Sequence, residues 1–357
     1  MENRTQTPTT PAPERPACAA TLQITNLCTG YKSKHRETPV GRELNGTLFA
    51  GELTCLIGAN GSGKSTLLNT LCRFLPALGG SISVLGRDLT AYTPRQLAHT
   101  LAVVLTEHGA PENMDVYSMV AMGRSPYTGF WGKLTSQDEQ LIANVLQDVG
   151  IAAFAHRLVH TLSDGERQKV MIAKALSQQT PIILLDEPMA FLDFPGKVET
   201  MKLLQKIART THKTIFLSTH DLEIALQLAD KLWLLDKQKG LRVGTPEDLA
   251  QDGTLDGFFA GEGVRFDPRS GLFAVSNQCT RTIALSGSSP RAALLTKALA
   301  RNGVAVAPAP NSPSAYPYLQ VPDDAHLPIV LYSSPQTPPT SAPTISRMVQ
   351  EVLSLPA

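Results

Sequence analysis

The 357-residue sequence is poor in cysteine, with five, at Cys18, Cys28, Cys55, Cys72 and Cys279. No two stand at CxxC spacing and the total is odd, so neither a zinc site nor a disulfide framework is indicated, and a reducing compartment fits best. Cys55 and Cys72 lie in apolar surroundings and read as small buried hydrophobes. Charge of one sign is not in excess either. The 32 Lys and Arg residues oppose 31 Asp and Glu, a net charge of +1, which argues against a strongly basic nucleic-acid binder. No stretch approaches the roughly 18 uncharged apolar residues of a transmembrane helix. Residues 1–20, rich in Thr, Pro and Ala, lack the apolar centre of a signal peptide and read as a disordered arm. No internal repeat is visible. The expectation is a soluble chain whose membrane role, if any, comes through a partner.

What is present is enough apolar side chain, 42% of the sequence, for a substantial core. Ordered structure is expected from about Thr21. Leu53–Ile57 is a short apolar run that stops at a glycine-rich turn, as a buried strand does. Residues 64–75 then carry Leu67, Leu68, Leu71 and Leu75 on one helical face, ending before Pro76. The rhythm returns in apolar strands at Ile182–Leu185 and Thr214–Ser218, a helix over 221–231 and a strand over 231–235. Strands apolar on both faces, alternating with helices, predict an α/β fold with a mainly parallel sheet. After Gly263 the composition turns rich in Pro and Ser. Apolar runs at 282–285, 304–306 and 328–332, with helical patterns at 290–302 and 344–355, predict a small α/β appendage over residues 264–357.

Three segments carry chemistry. Gly58-Ala59-Asn60-Gly61-Ser62-Gly63-Lys64-Ser65-Thr66 has the GxxxxGK[ST] spacing between a strand and a helix. Glycines let the backbone curl so that its N–H groups face phosphate oxygens, helped by the helix N-terminus; Lys64 would reach the β- and γ-phosphates and Ser65 would ligate Mg²⁺. Ile182-Ile183-Leu184-Leu185-Asp186-Glu187 is an apolar strand ending in two carboxylates, where Asp186 would hold the Mg²⁺ shell and Glu187 would polarise an attacking water. Ser163 followed by Glu166 in Leu162-Ser163-Asp164-Gly165-Glu166-Arg167-Gln168 is a capping box that starts a helix. Taken alone this last segment is a plain capped helix.

Taken in order, these segments resemble those of ABC-type ATPases, over residues 21–262. The phosphate loop, an LSGGQ-like signature, the acidic strand and then His220 after a further strand follow that family's sequence of motifs. The resemblance implies a P-loop ABC ATPase domain over 21–263, with an antiparallel β portion and a helical subdomain at about 107–180. It implies Mg²⁺-dependent ATP hydrolysis with ATP and Mg²⁺ as ligands. Gly58, Asn60, Gly61, Ser62, Gly63, Lys64, Ser65 and Thr66 would bind ATP, and Tyr31 would stack on adenine. Glu187 and His220 would be catalytic, and Ser65, Asp186 and Thr106 would serve the metal. Ser163, Gly165 and Glu166 would act across a head-to-tail homodimer, and Asp193 in Ala190-Phe191-Leu192-Asp193 would lie in the loop between subunits. A helix N-terminus is an anion site, and this one lacks a phosphate loop of its own.

Two departures stand out. Thr106, or one residue later Glu107, occupies the place where the family has a glutamine. Asp164 replaces a glycine of the signature, and a carboxylate near a triphosphate repels it unless it points away or is paired, with Arg167 as the partner in reach. Met119-Val120-Ala121-Met122-Gly123-Arg124-Ser125-Pro126-Tyr127 is similar to the GRxP stretch of importer ATPases serving iron–siderophore, haem and cobalamin uptake. That implies a peripheral protein on the cytoplasmic face of the inner membrane, driving an integral membrane permease that a substrate-binding protein supplies, with no nucleic acid involved. The surface around residues 114–127 would receive the permease. The alternative, a soluble non-transport ABC ATPase, lacks its usual marks here, a long coiled-coil insertion or two cassettes in one chain.

Overall fold

A computed structural model describes residues 19–33, 36–105, 113–129, 132–259, 264–267, 271–275, 277–309, 317–324 and 326–355. They fall into two compact units, the first running to Phe258 and taking back Leu272, the second holding Phe259–Asp267 and the chain from Phe273. In chain order the strands of the first unit are β1 (Ala20–Lys32), β2 (Glu37–Phe49), β3 (Leu53–Ile57), β4 (Gly79–Val84), β5 (Arg87–Asp88), β6 (Leu101–Val104), β7 (Ile182–Leu185), β8 (Thr214–Ser218), β9 (Lys231–Asp236) and β10 (Gly240–Gly244). Its helices are α1 (Lys64–Leu71), α2 (Pro94–Ala98), α3 (Val116–Ala121), α4 (Ser136–Asp148), α5 (Asp164–Ser177), α6 (Phe194–Thr211), α7 (Leu222–Leu228), α8 (Pro246–Gln251) and α9 (Thr254–Phe259), whose last residue falls in the second unit.

One sheet has the order β10-β9-β3-β8-β7-β6. Its strands from β9 to β6 are parallel and only β10 runs antiparallel. The strands β3, β7 and β8 are buried at every residue, as their two-faced apolar character requires. Their carboxyl ends therefore open on one edge of the sheet, where α/β proteins bind ligands. A second, antiparallel sheet has the order β2-β1-β4-β5. Its inner residues Leu22, Ile24, Leu44, Leu48 and Val84 join Leu56, Leu184, Phe216 and Trp233 of the first sheet in one core. Trp233 is fully buried edge-on to Phe216, with ring centroids 5.0 Å apart. A Cβ at Gly46 would come within 2.6 Å of its ring, so this strand position needs glycine. Cys55 and Cys72 are buried free thiols, and burial pushes the Cys72 thiol up to about 12.

Two helices stop earlier than the apolar pattern suggested. Helix α1 ends at Leu71 rather than Leu75 because Arg73 turns left-handed at φ 63°, while the amides of Phe74 and Leu75 fold back onto the Asn69 carbonyl. Arg73 offsets the strain by donating to the Tyr92 carbonyl at 2.6 Å. Helix α7 ends at Leu228 because Asp230 is already committed to β3, accepting the Leu53 amide at 2.9 Å.

The second unit is a five-stranded sheet built from β13 (Arg281–Ser286), β14 (Val304–Pro308), β15 (Tyr318–Gln320), β16 (Ile329–Tyr332) and β17 (Thr340–Ala342), in the order β14-β13-β15-β16-β17. A two-stranded ribbon of β11 (Val264–Asp267) and β12 (Leu272–Val275) precedes it. Helices α10 (Pro290–Arg301) and α11 (Ile345–Leu353) supply Leu295, Leu299, Met348 and Val352 to a core with Ile283, Leu285, Leu319, Ile329 and Leu331. Ser289 caps α10 and Pro290 fills its first turn, as the sequence indicates.

Candidate nucleotide site

The turn after β3 is shaped by its glycines. Gly61 and Gly63 hold φ values of 74° and 106°, which side-chain-bearing residues resist. A Cβ at Gly58 would meet the Leu235 carbonyl oxygen at 2.3 Å. Lys64, only 5% exposed, folds back on the loop, donating to the Gly58 carbonyl at 2.8 Å and the Ala59 carbonyl at 3.3 Å. Burial lowers its pKa from the ordinary lysine range, while the charges of Glu187 and Asp186 act in the opposite direction. Ser62 Oγ is buried with no hydrogen-bond partner among the described residues. A cradle with a buried ammonium and an unmet hydroxyl suits an anion.

The carboxylates at the end of β7 are fixed from β8. Ser218 Oγ donates to Asp186 Oδ1 at 2.6 Å and accepts the Glu187 amide at 2.8 Å. Glu187 itself is left-handed, φ 46°, a strained geometry of the kind kept where surroundings over-determine it. His220 Nε2 lies 2.5 Å from Glu187 Oε1. Ser218 was not singled out from sequence. The available signal was a hydroxyl ending an apolar strand two residues before His220.

One cavity of about 1240 Å³ joins these parts. Tyr31, Asn60, Gly61, Gly63, Lys64, Ser65, Thr66, Glu187 and His220 all line it. Tyr31, 54% exposed, stands at its wall with Oη 3.3 Å from Thr66 Oγ1. Gly58, Ser62 and Asp186 do not line it. Among the described residues no cluster of three or more His, Cys, Asp or Glu forms a metal cage. One hydroxyl and one carboxylate near a phosphate loop is the sparse donor set that Mg²⁺ accepts, completing its shell with phosphate and water. Ser65 and Asp186 fit it.

Residues 42–190 match the family described as ABC transporter. An ABC transporter ATP-binding protein of Methanocaldococcus jannaschii is 36% identical over 256 residues, 72% of this chain and 87% of the relative. The chain belongs to the ABC transporter ATP-binding family. A petrobactin import ATP-binding protein of Bacillus anthracis is 37% identical over 216 residues, 60% of this chain and 79% of the relative. A solved ABC transporter described as of metal-chelate type, inward-facing, is 28% identical with a TM-score of 0.58, covering 68% of this chain and 89% of that one. A dimeric ABC cassette bound to ADP and phosphate shares the fold at 23% identity and a TM-score of 0.55, over 63% of this chain and 98% of that one. The mainly parallel sheet, the antiparallel sheet and the helices between β6 and β7 are those of an ABC ATPase.

The signature residues of this ABC ATPase stand apart from the cavity. Ser163 caps α5: the Glu166 amide donates to Ser163 Oγ at 3.3 Å, and the Ser163 amide donates to Glu166 Oε2 at 2.9 Å. The Ser163 amide first, and then the Ser163 hydroxyl, which donates to Glu166 Oε2 at 3.0 Å, hold the Glu166 carboxyl below its usual range. Asp164 is paired with Arg167 at 3.4 Å, which answers the repulsion its charge raised. Gly165 lies beside Leu192, 3.7 Å from the place of a Cβ, so the signature and the loop carrying Asp193 adjoin. Asp193 caps α6 and is flanked by two exposed aromatics, Phe191 and Phe194. Thr106 and Glu107 lie outside the described residues.

The importer-like stretch faces inward more than expected. Gly123 and Arg124 are buried, and only Met122 and Tyr127 of its large side chains are exposed. Arg124 donates to Asp138 at 2.7 Å, to the Ser177 carbonyl at 2.8 Å and to Gln179 at 2.9 Å, and lies 3.9 Å from the Tyr127 ring centre. It ties α4 and the end of α5 together, so most of its role is internal packing. Among the described residues no helix is long and apolar enough to cross a membrane.

Proposed function

We propose that this ABC ATPase drives an importer whose cargo is an iron–siderophore, haem or cobalamin type of chelate, carried by a separate integral membrane permease and delivered by a substrate-binding protein. The names of the petrobactin and metal-chelate relatives support that reading, as does the Arg124 stretch. The protein would sit peripherally on the cytoplasmic face of the membrane. Residues 21–263 would be the ATPase domain, with its helical subdomain at about 107–180, and 264–357 the appendage.

The observation that carries the chemistry is the Glu187–His220 pair facing the same cavity as Lys64 and Ser65. Lys64 and the amides of the loop from Gly58 to Thr66 would hold the β- and γ-phosphates, and Tyr31 would stack on adenine. Bound Mg²⁺, held by Ser65 and Asp186, would neutralise charge on the phosphates. Glu187 would orient the attacking water and take its proton, while His220 fixes the Glu187 carboxylate and reaches the γ-phosphate. Ser163, Gly165 and Glu166 at the amino end of α5 would close over ATP held by a second copy, with Asp193 at the seam. The dimeric relative and the exposed Phe191 and Phe194 beside Asp193 favour a homodimer.

The test is Glu187→Gln. ATP binding should survive while phosphate release falls by orders of magnitude. Turnover like wild type in the purified, folded variant would overturn the assignment.

A further inference from the structure

The turn between β9 and β10 also lines the nucleotide cavity, through Lys237 and Lys239. Asp236 Oδ1 pins this turn by accepting the amides of Gln238 at 2.7 Å and Lys239 at 2.8 Å. The two lysines then part company. Lys239 is spent on structure, its ammonium donating to the Gly257 and Phe258 carbonyls. Lys237 is exposed and has no hydrogen bond or ion pair among the described residues. Its ammonium lies 3.9 Å from the place a Cβ would take on Gly61, at the crest of the phosphate loop.

A pinned turn thus holds an unpaired cation beside an anion cradle. Leaving Lys237 there unmatched puts two ammonium groups, Lys64 and Lys237, around one loop. Like charges so arranged repel until an anion enters. Of the acidic residues lining the cavity, Asp236 accepts the turn amides, Glu187 meets His220, and Glu43 makes no ion pair with Lys237. A polyphosphate can present oxygens of separate phosphate groups to both lysines, which a single phosphate group does less well.

We propose that Lys237 is a second phosphate-binding residue of this ATPase, contacting the triphosphate of bound ATP at the Gly61 side of the loop. The proposal rests on the reading of residues 58–66 as the phosphate site. Lys237 acts on binding and on nucleotide selection, favouring ATP over adenosine or AMP. It takes no part in activating water.

The test measures equilibrium binding of a non-hydrolysable ATP analogue, and of AMP, to the full chain as wild type, Lys237→Ala, Lys237→Glu, Lys237→Arg and Lys64→Ala. Lys237→Ala should weaken the ATP analogue about fivefold to tenfold, the loss of one charge-assisted contact at a half-open site. Lys237→Glu should weaken it further, Lys237→Arg should restore it, and AMP binding should hardly move. The salt dependence of analogue binding should also flatten in Lys237→Ala. Unchanged analogue affinity in Lys237→Ala, with affinity lost in Lys64→Ala, overturns the role of Lys237 and leaves the phosphate loop standing. Equal weakening of the analogue and AMP marks a structural effect and also overturns the proposal. Unchanged affinity in both Lys237→Ala and Lys64→Ala removes the reading of the loop itself.

Discussion

Replacing Ser218 by alanine tests whether the carboxylates at the end of β7 are held in place from β8. The hydroxyl makes two bonds, one to Asp186 Oδ1 at 2.6 Å and one from the Glu187 amide at 2.8 Å. Alanine removes both without changing the strand, because Ser218 is fully buried and only its oxygen is lost. A hydrogen bond to a charged acceptor contributes about 1.5–3 kcal/mol, and an amide left without a partner costs about 1–3 kcal/mol where water cannot replace it. Glu187 is partly open to the cavity, so water recovers some of the second amount, and a net loss of about 2 kcal/mol of folding stability is expected. The kinetic effect should be larger than the effect on binding. In the proposed function Asp186 and Glu187 act through position, and a displacement of about 1 Å at a catalytic group costs up to about a hundredfold in rate. The turnover number should therefore fall about tenfold to a hundredfold while the ATP dissociation constant changes by less than about threefold. Phosphate release, equilibrium ATP binding and thermal melting of the same preparation provide the three readings. A stable Ser218→Ala protein that hydrolyses ATP within twofold of wild type would refute the reasoning.

Ser163→Arg should block the amino end of α5 and prevent the ATP-dependent dimer expected of the Glu187→Gln protein, which size-exclusion chromatography with and without ATP would report. The carboxyl of Asp138 is pushed down to about 2 by bonds from Thr135 and then from Arg124. Its folded pKa is below its unfolded value, so its contribution is complete above about pH 4 and is lost as pH falls toward 2. Melting temperatures taken across that window should decline less steeply in Asp138→Asn than in wild type. Gly58→Ala should abolish ATP binding or folding, because its Cβ would press on the Leu235 carbonyl at 2.3 Å; binding at wild-type strength would disprove the tight packing. A chain ending at Gly263 should keep ATP binding, measured by equilibrium dialysis, since among the described residues the cavity is lined by none beyond Arg242.

The local geometry of the candidate site was legible in the sequence where a short stretch of backbone alone fixes it. The spacing from Gly58 to Ser65 goes with the backbone curl that left-handed Gly61 and Gly63 allow, and Ser163 with Glu166 is a cap that closes within one turn. The apolar runs of β3, β7 and β8 announced a buried parallel sheet for the same reason, because a strand covered on both faces has no polar position to alternate. Helix ends were less legible. Arg73 carries a left-handed turn that residue type does not advertise, and the Asp230 side chain is drawn to a strand amide 177 residues away in sequence. What only the tertiary structure decided is which groups meet. Ser218 matters because the sheet order sets β8 beside β7, so its hydroxyl reaches both Asp186 and Glu187. Asp164 is paired because Arg167, one turn further along α5, is in reach of it. Arg124, read as part of a docking surface, is turned inward because its guanidinium finds Asp138, Ser177 and Gln179 on other elements. Lys237 and Lys239 are two lysines of one turn in the sequence, and packing alone assigns one to the backbone of residues 257–258 and leaves the other facing the phosphate loop.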